Sequence, residues 1–361
     1  MKALVVKTVN DYSIEDVTLD PPKAGELKVK MKATGVCHSD LSVINGTLPL
    51  ATPCVVGHEG AGIVEEVGEG VTNIAVGDHV VLSFVPVCGE CNECHHQRPQ
   101  FCTIGQPHGK MIDGTARVHL DGEELNVMQF LGCMAEYAVV PAISAIKIDK
   151  DIPFDKAALV GCGVMTGVGA AINTAKIEPG SSVVVYGCGG VGLSIIQGAR
   201  LAGATKIIAV DLADNKLELA KKFGATDTIN GSEGEPIFAV HEMTGGGADY
   251  AFEAVGVAAL MEKTYESVRR GGTAVIVGVG KMTDSFPINA LMASMGGKSL
   301  KGSFYGDANP AADFPRLLKL YQAGKLNLDE LVTTTYSIDE APQAFLDMEN
   351  NLNARGVIVY D

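Results

Sequence analysis

The sequence has no tryptophan, and only 6% of its residues are aromatic. Positive charge is also scarce: 28 Lys and Arg stand against 43 Asp and Glu, for a formal charge of -15. This balance disfavours nonspecific binding to nucleic acid or to an anionic membrane surface, because both are polyanions. A small-molecule substrate fits better, and we expect neither nucleic acid nor membrane among the partners.

Long apolar runs are missing as well. No segment reaches the roughly eighteen uninterrupted apolar residues of a membrane-spanning helix. Residues 1–6 are typical of a short strand and lack the apolar core and cleavage site of a signal peptide. Nine cysteines without an export signal indicate a reducing compartment and favour metal ligation over disulfides. We therefore predict a cytoplasmic location.

Length and pattern predict two domains, since 361 residues exceed one typical core of about 150 residues. The N-terminal part is typical of a β-rich domain, with short strands between Gly and Pro residues at 27–34, 62–67, 79–84 and 135–140. After residue 301 the pattern is mixed, with a helix at 314–323 and a closing strand at 356–360. We expect this last segment to rejoin the first domain.

Between these parts, from about residue 176, the pattern changes to strand, glycine turn, helix and strand. The predicted strands are 182–186, 207–210, 250–254 and 273–279, and the predicted helices are 193–201, 216–223 and 258–270. Such alternation is the sequence pattern of βαβ units. It predicts a doubly wound parallel sheet.

Four cysteines follow one another at the spacing C-x2-C-x2-C-x7-C, namely Cys88, Cys91, Cys94 and Cys102. This spacing lets four thiolates converge on one tetrahedral zinc ion from a short segment. A zinc site of four sulfurs has no open coordination position, so we expect it to stabilise this segment rather than carry chemistry. A chance cluster of reduced, unliganded cysteines is the alternative.

A glycine-rich turn, Gly187-Cys188-Gly189-Gly190-Val191-Gly192, fits the pattern G-x-G-x-x-G between an apolar strand and a helix. Such a turn brings backbone N–H groups and a helix N-terminus close to a pyrophosphate. Asp211 ends the next predicted strand, where a carboxylate accepts hydrogen bonds from ribose hydroxyls and repels a 2′-phosphate. We therefore predict NAD rather than NADP, against the alternative of a glycine turn with an incidental surface aspartate.

A second possible metal site consists of Cys37, His58 and Cys162. Two thiolates and one imidazole form a three-ligand zinc set whose fourth position is left to water or substrate. Spacing alone does not establish the grouping. A free cysteine often packs as a small buried apolar residue, and a lone histidine is usually a satisfied polar group.

The motif order decides between these readings: G-x-C-x-[ST]-D at Cys37, GHE-x-x-G at His58, the four cysteines, GCG-x-x-TG at Cys162, then G-x-G-x-x-G and Asp211. Over almost the whole chain this order resembles the zinc-dependent medium-chain alcohol dehydrogenases, in particular two-zinc enzymes for aryl and primary alcohols. The resemblance implies a GroES-like catalytic domain over residues 1–163, completed by 303–361. It also implies a Rossmann domain inserted at 164–302.

The resemblance also implies the roles of the residues around the second metal site. Cys37, His58 and Cys162 would hold a catalytic zinc ion, with Glu59 beside it as an alternate ligand or as an outer carboxylate. Asp40 would orient His58 by accepting its other ring hydrogen. Ser39 would hydrogen-bond the alcohol and take its proton. Together with the four-cysteine site, this makes two zinc ions per chain.

For the cofactor, Gly187, Gly189 and Gly192 form the phosphate turn and Asp211 binds the ribose. The resemblance adds contacts of His38 and Arg355 with the pyrophosphate and of Thr166 and Val191 with the nicotinamide ring. It also implies that Lys216 contacts the adenosine ribose and that the backbone at Val277 and Val279 contacts the nicotinamide end. The implied reaction is reversible NAD-dependent oxidation of a primary alcohol to an aldehyde by zinc-assisted hydride transfer.

Leu48, Phe84, Phe130 and Leu131 fall at positions that line the substrate pocket in the family. An apolar slot of this kind suits a medium-length or aromatic primary alcohol, although ordinary core packing would also explain these residues. Alternatives within the family are a glutathione-dependent formaldehyde dehydrogenase, disfavoured by Leu48 where that group has an acidic residue, and a secondary-alcohol dehydrogenase. A quinone-reductase-like, regulatory or non-catalytic nucleotide-binding protein is less consistent with the two cysteine sets.

One position departs from the family pattern. Several members have a histidine five residues after the first zinc cysteine that passes the substrate proton to solvent, and here that residue is Ser42. We expect Ser39 to begin the relay, through the ribose hydroxyl and water or with help from His38. The long segment between Cys102 and Ala135 resembles that of dimeric relatives and predicts a homodimer, with a homotetramer as the alternative.

Overall fold

A computed structural model of the chain describes residues 1–105, 109–350 and 352–361. The strands in these ranges, in chain order, are β1 Lys2–Thr8, β2 Asp11–Asp16, β3 Thr18–Leu19, β4 Glu26–Gly35, β5 Cys54–Val55, β6 Gly60–Val67, β7 His79–Leu82, β8 Val118–Leu120, β9 Glu123–Glu124, β10 Asn126–Val127, β11 Tyr137–Pro141, β12 Ala145–Ile148, β13 Ser182–Tyr186, β14 Lys206–Asp211, β15 Asp227–Asn230, β16 Ala248–Glu253, β17 Val268–Ile276, β18 Ser299–Gly302, β19 Thr334–Tyr336 and β20 Gly356–Val359.

The α-helices in the same ranges are α1 His38–Ile44, α2 Asn92–His95, α3 Phe154–Leu159, α4 Met165–Gly169, α5 Gly190–Leu201, α6 Asp214–Phe223, α7 Pro236–Thr244, α8 Ala258–Ser267, α9 Ala290–Met295, α10 Pro310–Gln322 and α11 Ala341–Glu349. The chain divides into two compact units. The first comprises Met1–Cys162, Asn309–Gly324 and Leu328–Asp361, and the second comprises Gly163–Ala308 and Lys325–Asn327.

The first unit is β-rich, as predicted. Its largest sheet has the strand order β12-β7-β6-β4-β20-β19, with β11 also paired to β4. Strand β20 runs antiparallel to β4 and pairs Val357 with Gly35 and Ile358 with Thr34. The last segment of the chain therefore rejoins the first domain.

Both faces of strand β1 pack in the core of the first unit. Leu4 and Val6 pack in one core cluster, with residues of α1, α11 and β20. Ala3 and Val5 point to the opposite face and pack in a second cluster, with residues of β8, β10 and β11. Because both faces of β1 are covered, its sequence is a continuous apolar run rather than an alternating pattern.

The second unit contains the predicted doubly wound parallel sheet, with the order β15-β14-β13-β16-β17-β18. All its strand pairs are parallel. The order reverses at β13, so the connections that follow β13 and β16 leave the sheet on opposite sides. A crevice at such a switch point, outside the carboxyl ends of the strands, is where this kind of sheet binds ligands.

Two predicted boundaries are wrong in this sheet. The helix predicted over residues 258–270 ends at Ser267, because Val268 pairs with Ala248 as the first residue of β17. The strand predicted over 273–279 ends at Ile276, since the N–H groups of Val277 and Gly278 both turn toward the carbonyl of Glu253. In both cases pairing within the sheet overrides the local pattern.

One helical stretch, Phe154–Ala175, is long and apolar enough by length and composition to cross a membrane. Its most apolar window is 83% buried inside the protein, however, which is typical of a core helix. Its run of apolar residues is interrupted by glycines and Thr166, so a search for uninterrupted runs does not find it. The cytoplasmic location stays a prediction.

Candidate active site and cofactor site

The four-cysteine segment brings its sulfurs together around one point. The ligand atoms of Cys88, Cys91, Cys94 and Cys102 all lie within 4.8 Å of one another. Their sulfur atoms approach to 3.4 Å between Cys88 and Cys102 and to 3.5 Å between Cys91 and Cys94. All nine cysteines of the chain are free thiols, so none of these contacts is a disulfide.

The local backbone favours thiolates in this segment. The N–H groups of Glu90 and Cys91 donate to the Cys88 sulfur at 3.4 and 3.3 Å. Hydrogen bonds from the backbone, chiefly at Thr103, lower the pKa of Cys91 to about 5, whereas burial and the neighbouring thiols raise that of Cys94 to about 12. Several thiolates this close together repel one another, and a zinc ion would remove that repulsion. The segment fits a structural zinc ion.

A second cluster of donors is formed by Cys37, His58, Glu59 and Cys162, whose ligand atoms also lie within 4.8 Å of one another. These residues come from distant parts of the sequence. Cys37 lies just before α1, His58 and Glu59 just before β6, and Cys162 in the helical stretch after α3. All four are buried, and His58 exposes only 2% of its surface.

Asp40 fixes the orientation of His58. Its Oδ1 lies 3.0 Å from His58 Nδ1 and accepts the N–H of Gly57 at 2.9 Å, while its Oδ2 accepts the N–H of Cys37 at 3.3 Å. The carboxylate therefore determines the histidine tautomer and leaves Nε2 as the free lone pair. Within the described residues His58 Nε2 has no hydrogen-bond partner although it is buried. This is the geometry of a histidine ready to bind a metal ion.

Charges within the cluster shift the pKa values of its side chains in directions that also fit a metal ion. A hydrogen bond with Cys162 holds the pKa of Cys37 well below its usual value, and His58 and Arg355 add to this effect against burial. The same bond and burial raise the pKa of Cys162. Burial lowers the pKa of His58, but the charges of Asp40 and Cys37 outweigh it and leave a raised pKa. Two thiols and a histidine compete here for protons that a zinc ion would displace.

Glu59 pairs with Arg355, and no sequence signal predicts this ion pair. The Glu59 Oε2 contacts Arg355 Nη2, and both side chains are buried. Burial raises the pKa of Glu59 to about 7 even though Arg355 opposes the shift. The other oxygen, Oε1, has no hydrogen-bond partner in the described part of the chain. The predicted contact of Arg355 with a cofactor pyrophosphate stays a prediction.

Of the predicted pocket residues, Phe84 packs against one of the donors: its ring centroid is 5.7 Å from that of His58, edge to face. Leu48 is partly buried and packs on the core cluster that contains β1. Phe130 and Leu131 each expose only 1% of their surface, as core residues do. Gln129 and Phe130 both have positive φ, 54° and 64°, a strained conformation for residues with side chains.

The first turn of α1 carries the other predicted catalytic residues. His38 and Ser39 follow Cys37 directly; His38 is exposed and Ser39 is partly buried. Ser42, which replaces the expected histidine, is also partly buried and lies one turn after His38. The helix thus presents an exposed imidazole and two hydroxyls close in sequence to a zinc-ligand candidate.

In the second unit, the glycine-rich turn lies at the carboxyl end of β13, where the sheet order reverses. Gly187 has a φ of +94°, and a side chain on Gly192 would collide with the carbonyl oxygen of Gly187. Gly189 caps α5 and has open space where a side chain would be, so a pyrophosphate can approach the first N–H groups of α5.

Asp211 ends β14 beside this turn. Its Oδ2 accepts the N–H of Cys188 at 2.8 Å, and its Oδ1 accepts that of Leu212 at 2.8 Å. The carboxylate thus fixes the second residue of the turn as well as its own loop. Lys216 is partly buried on α6, five residues after Asp211 along the chain.

Large apolar side chains are exposed at the same edge of the sheet. They follow three strands of this sheet: Leu212 after β14, Val255 after β16 and Val279 after β17, with exposed fractions of 71, 50 and 70%. Thr166 and Val191 are partly buried, and Val277 is buried. Exposed apolar residues at a ligand-binding edge indicate a surface that adenine and nicotinamide rings can cover.

Comparison with known proteins agrees with this geometry. Residues 23–150 match the alcohol dehydrogenase GroES-like domain, and residues 190–323 match the zinc-binding dehydrogenase domain. Alcohol dehydrogenase B of Mycobacterium tuberculosis is 39% identical over 99% of this chain and 97% of its own length. This chain belongs to the zinc-binding medium-chain alcohol dehydrogenase family. The resemblance and the fold class predicted from the sequence are thus confirmed.

Solved structures place this alcohol dehydrogenase among enzymes of the same fold. Benzyl alcohol dehydrogenase from Acinetobacter calcoaceticus superposes with a TM-score of 0.95 and 34% identity, over 100% of this chain and 99% of that one. An alcohol dehydrogenase from E. coli, solved with NADH, gives 0.83 and 25% over 100% and 99%. The chain is therefore a zinc-dependent alcohol dehydrogenase.

Proposed function

We propose that this enzyme oxidises a primary alcohol, medium-chain or aromatic, to the aldehyde with NAD, in a reversible reaction. The observation that carries the proposal is the buried set Cys37, His58 and Cys162. Asp40 holds Nδ1 of His58 and leaves Nε2, which has no hydrogen-bond partner among the described residues, available to a metal ion. Two thiolates and an imidazole leave one coordination position for a substrate oxygen.

Zinc bound by these donors supplies the Lewis acidity that makes a substrate hydroxyl acidic, much as it lowers the pKa of water to about 7. The protein positions the remaining groups. Asp40 holds His58 in one tautomer, and Phe84 packs edge-on against the imidazole. Glu59 is held by Arg355, with its second oxygen available as an alternate ligand.

Ser39 receives the proton of the alcohol in this proposal. Its partly buried hydroxyl lies two residues after Cys37, at the start of α1. His38 lies at the exposed end of the same turn, and a bound cofactor would offer a ribose hydroxyl from which water could take the proton. A nicotinamide ring would accept the hydride of the alcohol carbon, so that loss of one proton and one hydride balances the oxidation to an aldehyde.

We further propose that the cofactor is NAD, bound across the second unit. Its pyrophosphate would lie against the turn formed by Gly187, Gly189 and Gly192. Asp211 would accept the ribose hydroxyls, with Lys216 nearby. His38 and Arg355 would contact the pyrophosphate, and the nicotinamide end would contact Thr166, Val191, Val277 and Val279. The open space at Gly189 and the exposed apolar residues at this edge support this placement.

An apolar substrate is favoured by Phe84 beside His58 and by the similarity to a benzyl alcohol dehydrogenase. Leu48, Phe130 and Leu131 would complete the pocket. Burying an aromatic ring there contributes about 25 cal/mol per Å2, whereas a polyol would leave hydroxyl groups unpaired.

The decisive experiment is a substrate panel followed by NADH absorbance. We expect kcat/KM for benzyl alcohol and for medium-chain primary alcohols to exceed that for secondary alcohols and polyols. Formaldehyde oxidation that requires glutathione, or a clear preference for secondary alcohols, would replace this assignment with the corresponding alternative.

The NAD preference is tested by Asp211→Ser. Removing the carboxylate takes away the ribose acceptor and the repulsion of a 2′-phosphate, so KM for NAD should rise and KM for NADP should fall, shifting the preference about 100-fold. Asp214→Ser, three residues later on α6, is the matched control and should leave the preference unchanged. Equal shifts in both variants would indicate a general charge effect.

We also propose a homodimer formed through the edge of the parallel sheet, with a homotetramer as the alternative. All residues of the edge strand β18 are exposed. Large exposed apolar side chains lie on it and on the segments around it, including Leu291, Met295 and Phe304. Two copies related by a two-fold axis could pair these edges and cover the apolar residues. Sedimentation velocity of wild type and Leu300→Lys tests this, since the variant should dissociate.

A further inference from the structure

A buried carboxylate outside the metal cluster lies at the centre of the cofactor edge. Glu253 is the last residue of β16, between Tyr186 of β13 and Ile276 of β17, and it is completely buried. It belongs to none of the sequence motifs. An acidic residue that ends a strand directly after the apolar residues 250–252 is the signal that could have found it.

One oxygen of this carboxylate organises the loop that follows β16. Glu253 Oε1 accepts the N–H groups of Val255 at 2.9 Å, of Gly256 at 2.7 Å and of Val257 at 3.3 Å. These donors come from three consecutive residues, so the loop is wrapped around a single oxygen. A backbone nest of this kind favours an anion.

The wrapped loop in turn touches the other two loops of the same edge. A side-chain atom added to Gly187 would collide with the Val255 side chain, and one added to Gly256 would collide with the backbone of Val279. The main-chain carbonyl of Glu253 accepts the N–H groups of Val277 and Gly278. Glu253 therefore contacts, directly or through one residue, the glycine-rich turn and both loops with exposed valines.

The second carboxylate oxygen of Glu253 makes this arrangement unfavourable for stability. Glu253 Oε2 has no hydrogen-bond partner among the described residues, and a side chain at Gly278 would lie 2.6 Å from it. Burial raises the pKa of Glu253, opposed by the backbone N–H groups around it. A strand that needed only stability would be served better by an apolar residue here.

We propose that Glu253 is a positioning residue for the nicotinamide cofactor: its carboxylate holds the loop of Val255 and Gly256 against the glycine-rich turn in the shape that the cofactor covers. This inference rests on the proposed NAD site. Glu253 does not touch the reacting atoms and acts through the loop that it fixes. Because the loop is already ordered, cofactor binding does not include the entropic cost of ordering the loop. Loosening the loop therefore weakens cofactor binding.

The test compares Glu253→Gln with wild type as zinc-loaded holoenzymes. Glutamine keeps the shape but replaces a charged acceptor with a neutral one, which weakens the three hydrogen bonds at once. We expect the Kd for NADH, from fluorescence titration, and KM for NAD to rise about tenfold. The zinc content and KM for the alcohol should not change.

Asp249→Asn is the matched control, because Asp249 lies on the same strand at its opposite end. Its carboxylate accepts the N–H and hydroxyl groups of Ser182, far along the strand from the cofactor edge. Both variants should lower the unfolding temperature, but only Glu253→Gln should weaken NADH binding. If Glu253→Gln does not fold, Glu253→Asp should give the same loss, because it keeps the charge but shortens the reach of the carboxylate to the loop.

The outcomes separate this inference from the proposed function. Unchanged NADH binding in folded Glu253→Gln, or in Glu253→Asp where it replaces that variant, overturns the positioning role and leaves the NAD proposal standing. An equal loss of binding in Asp249→Asn also overturns it, since the effect would then be general destabilisation. A wild-type enzyme that binds NADP but not NADH, or neither, overturns the NAD proposal and this inference together.

Discussion

The two cysteine clusters differ in where their donors come from and in how much of the protein surrounds them. The structural candidate takes four sulfurs from residues 88–102, and three of them are partly exposed. The catalytic candidate takes its donors from positions 37 to 162, and all are buried. The four-cysteine cluster contains only sulfur donors. The buried cluster also contains an imidazole and a carboxylate, with an arginine beside them. Donor type and burial thus separate a site that holds shape from one that can hold a substrate.

The two sites differ because only the site with an open coordination position has to exclude water. A closed set of four thiolates needs no shield from water, because the metal has no open position. A site with an open position gains from a dry environment, in which charges act more strongly and side reactions are suppressed. Such an environment requires a complete domain core around the donors. A short surface segment cannot supply one.

The largest expected effect is the loss of turnover in Cys162→Ala. With one thiolate gone, kcat should fall on the order of 1,000-fold or more, and zinc should drop from two ions per chain to one. NADH binding should largely persist, since most of the proposed cofactor contacts lie in the second unit. Activity by NADH absorbance, zinc by elemental analysis and NADH by fluorescence check this. His58→Ala should behave alike.

The control for that variant is Cys133→Ala, because Cys133 is also fully buried in the first unit but belongs to neither cluster. It should keep both zinc ions and most of the activity. Alcohol oxidation that survives in Cys162→Ala with a single zinc ion would end the assignment of the catalytic cluster.

The next effect concerns how firmly the open site holds its metal. Asp40→Asn removes the charge that orients His58. Zinc binding at this site should weaken by about 10- to 100-fold, as is typical when a hydrogen-bond partner of a metal ligand is lost. The four-cysteine site should keep its zinc. A chelator titration should then show one ion released early and one late. Release of both ions together would contradict the division between the two sites.

The structural site should respond in the opposite way. Cys91→Ser should lower the unfolding temperature by several degrees, since about 2–4 °C corresponds to 1 kcal/mol for a domain of this size. Molecules that remain folded should keep the wild-type kcat. Differential scanning calorimetry and active-site titration check the two parts. Asn92→Ala, at the exposed neighbouring residue, should change neither quantity; a large fall in kcat for Cys91→Ser would mean that this segment has a catalytic part.

The smallest effect is expected at the proton path. Ser42→His restores the histidine of other family members one turn after His38, and kcat should change by about two- to fivefold. The pH profile should gain a group that titrates near 6.5, and the solvent isotope effect should fall. Stopped-flow kinetics in H2O and D2O measure this. An unchanged profile would show that proton transfer through Ser39 does not limit turnover.

How much the sequence could predict also follows the contrast between the clusters. The four-cysteine site was readable from spacing, because its ligands are close along the chain. Cys37, His58 and Cys162 needed a family resemblance, since spacing carries no information about residues that meet only after folding. The pair Glu59 and Arg355, nearly 300 residues apart, and the packing of Phe84 on His58 had no sequence signal.

The same limit applies to the fold. The order of strands and helices in the parallel sheet followed from alternating patterns and glycine turns. The ends of the elements did not, because Val268 becomes a strand residue only through its pairing with Ala248. Glu253 was missed for a related reason: its importance lies in the loop that it holds, and the hydrogen bonds to that loop exist only in the folded sheet.

The pairing of β20 with β4 sets an order of assembly during synthesis. The four cysteines of the surface site are available once residue 102 has left the ribosome, and the donors of the other site once residue 162 has. The guanidinium beside Glu59, however, arrives with residue 355, on a segment that is held next to Cys37 by the pairing of Val357 with Gly35. A nascent chain therefore has one site able to take up metal early and one that lacks its counter-charge until residue 355 is made.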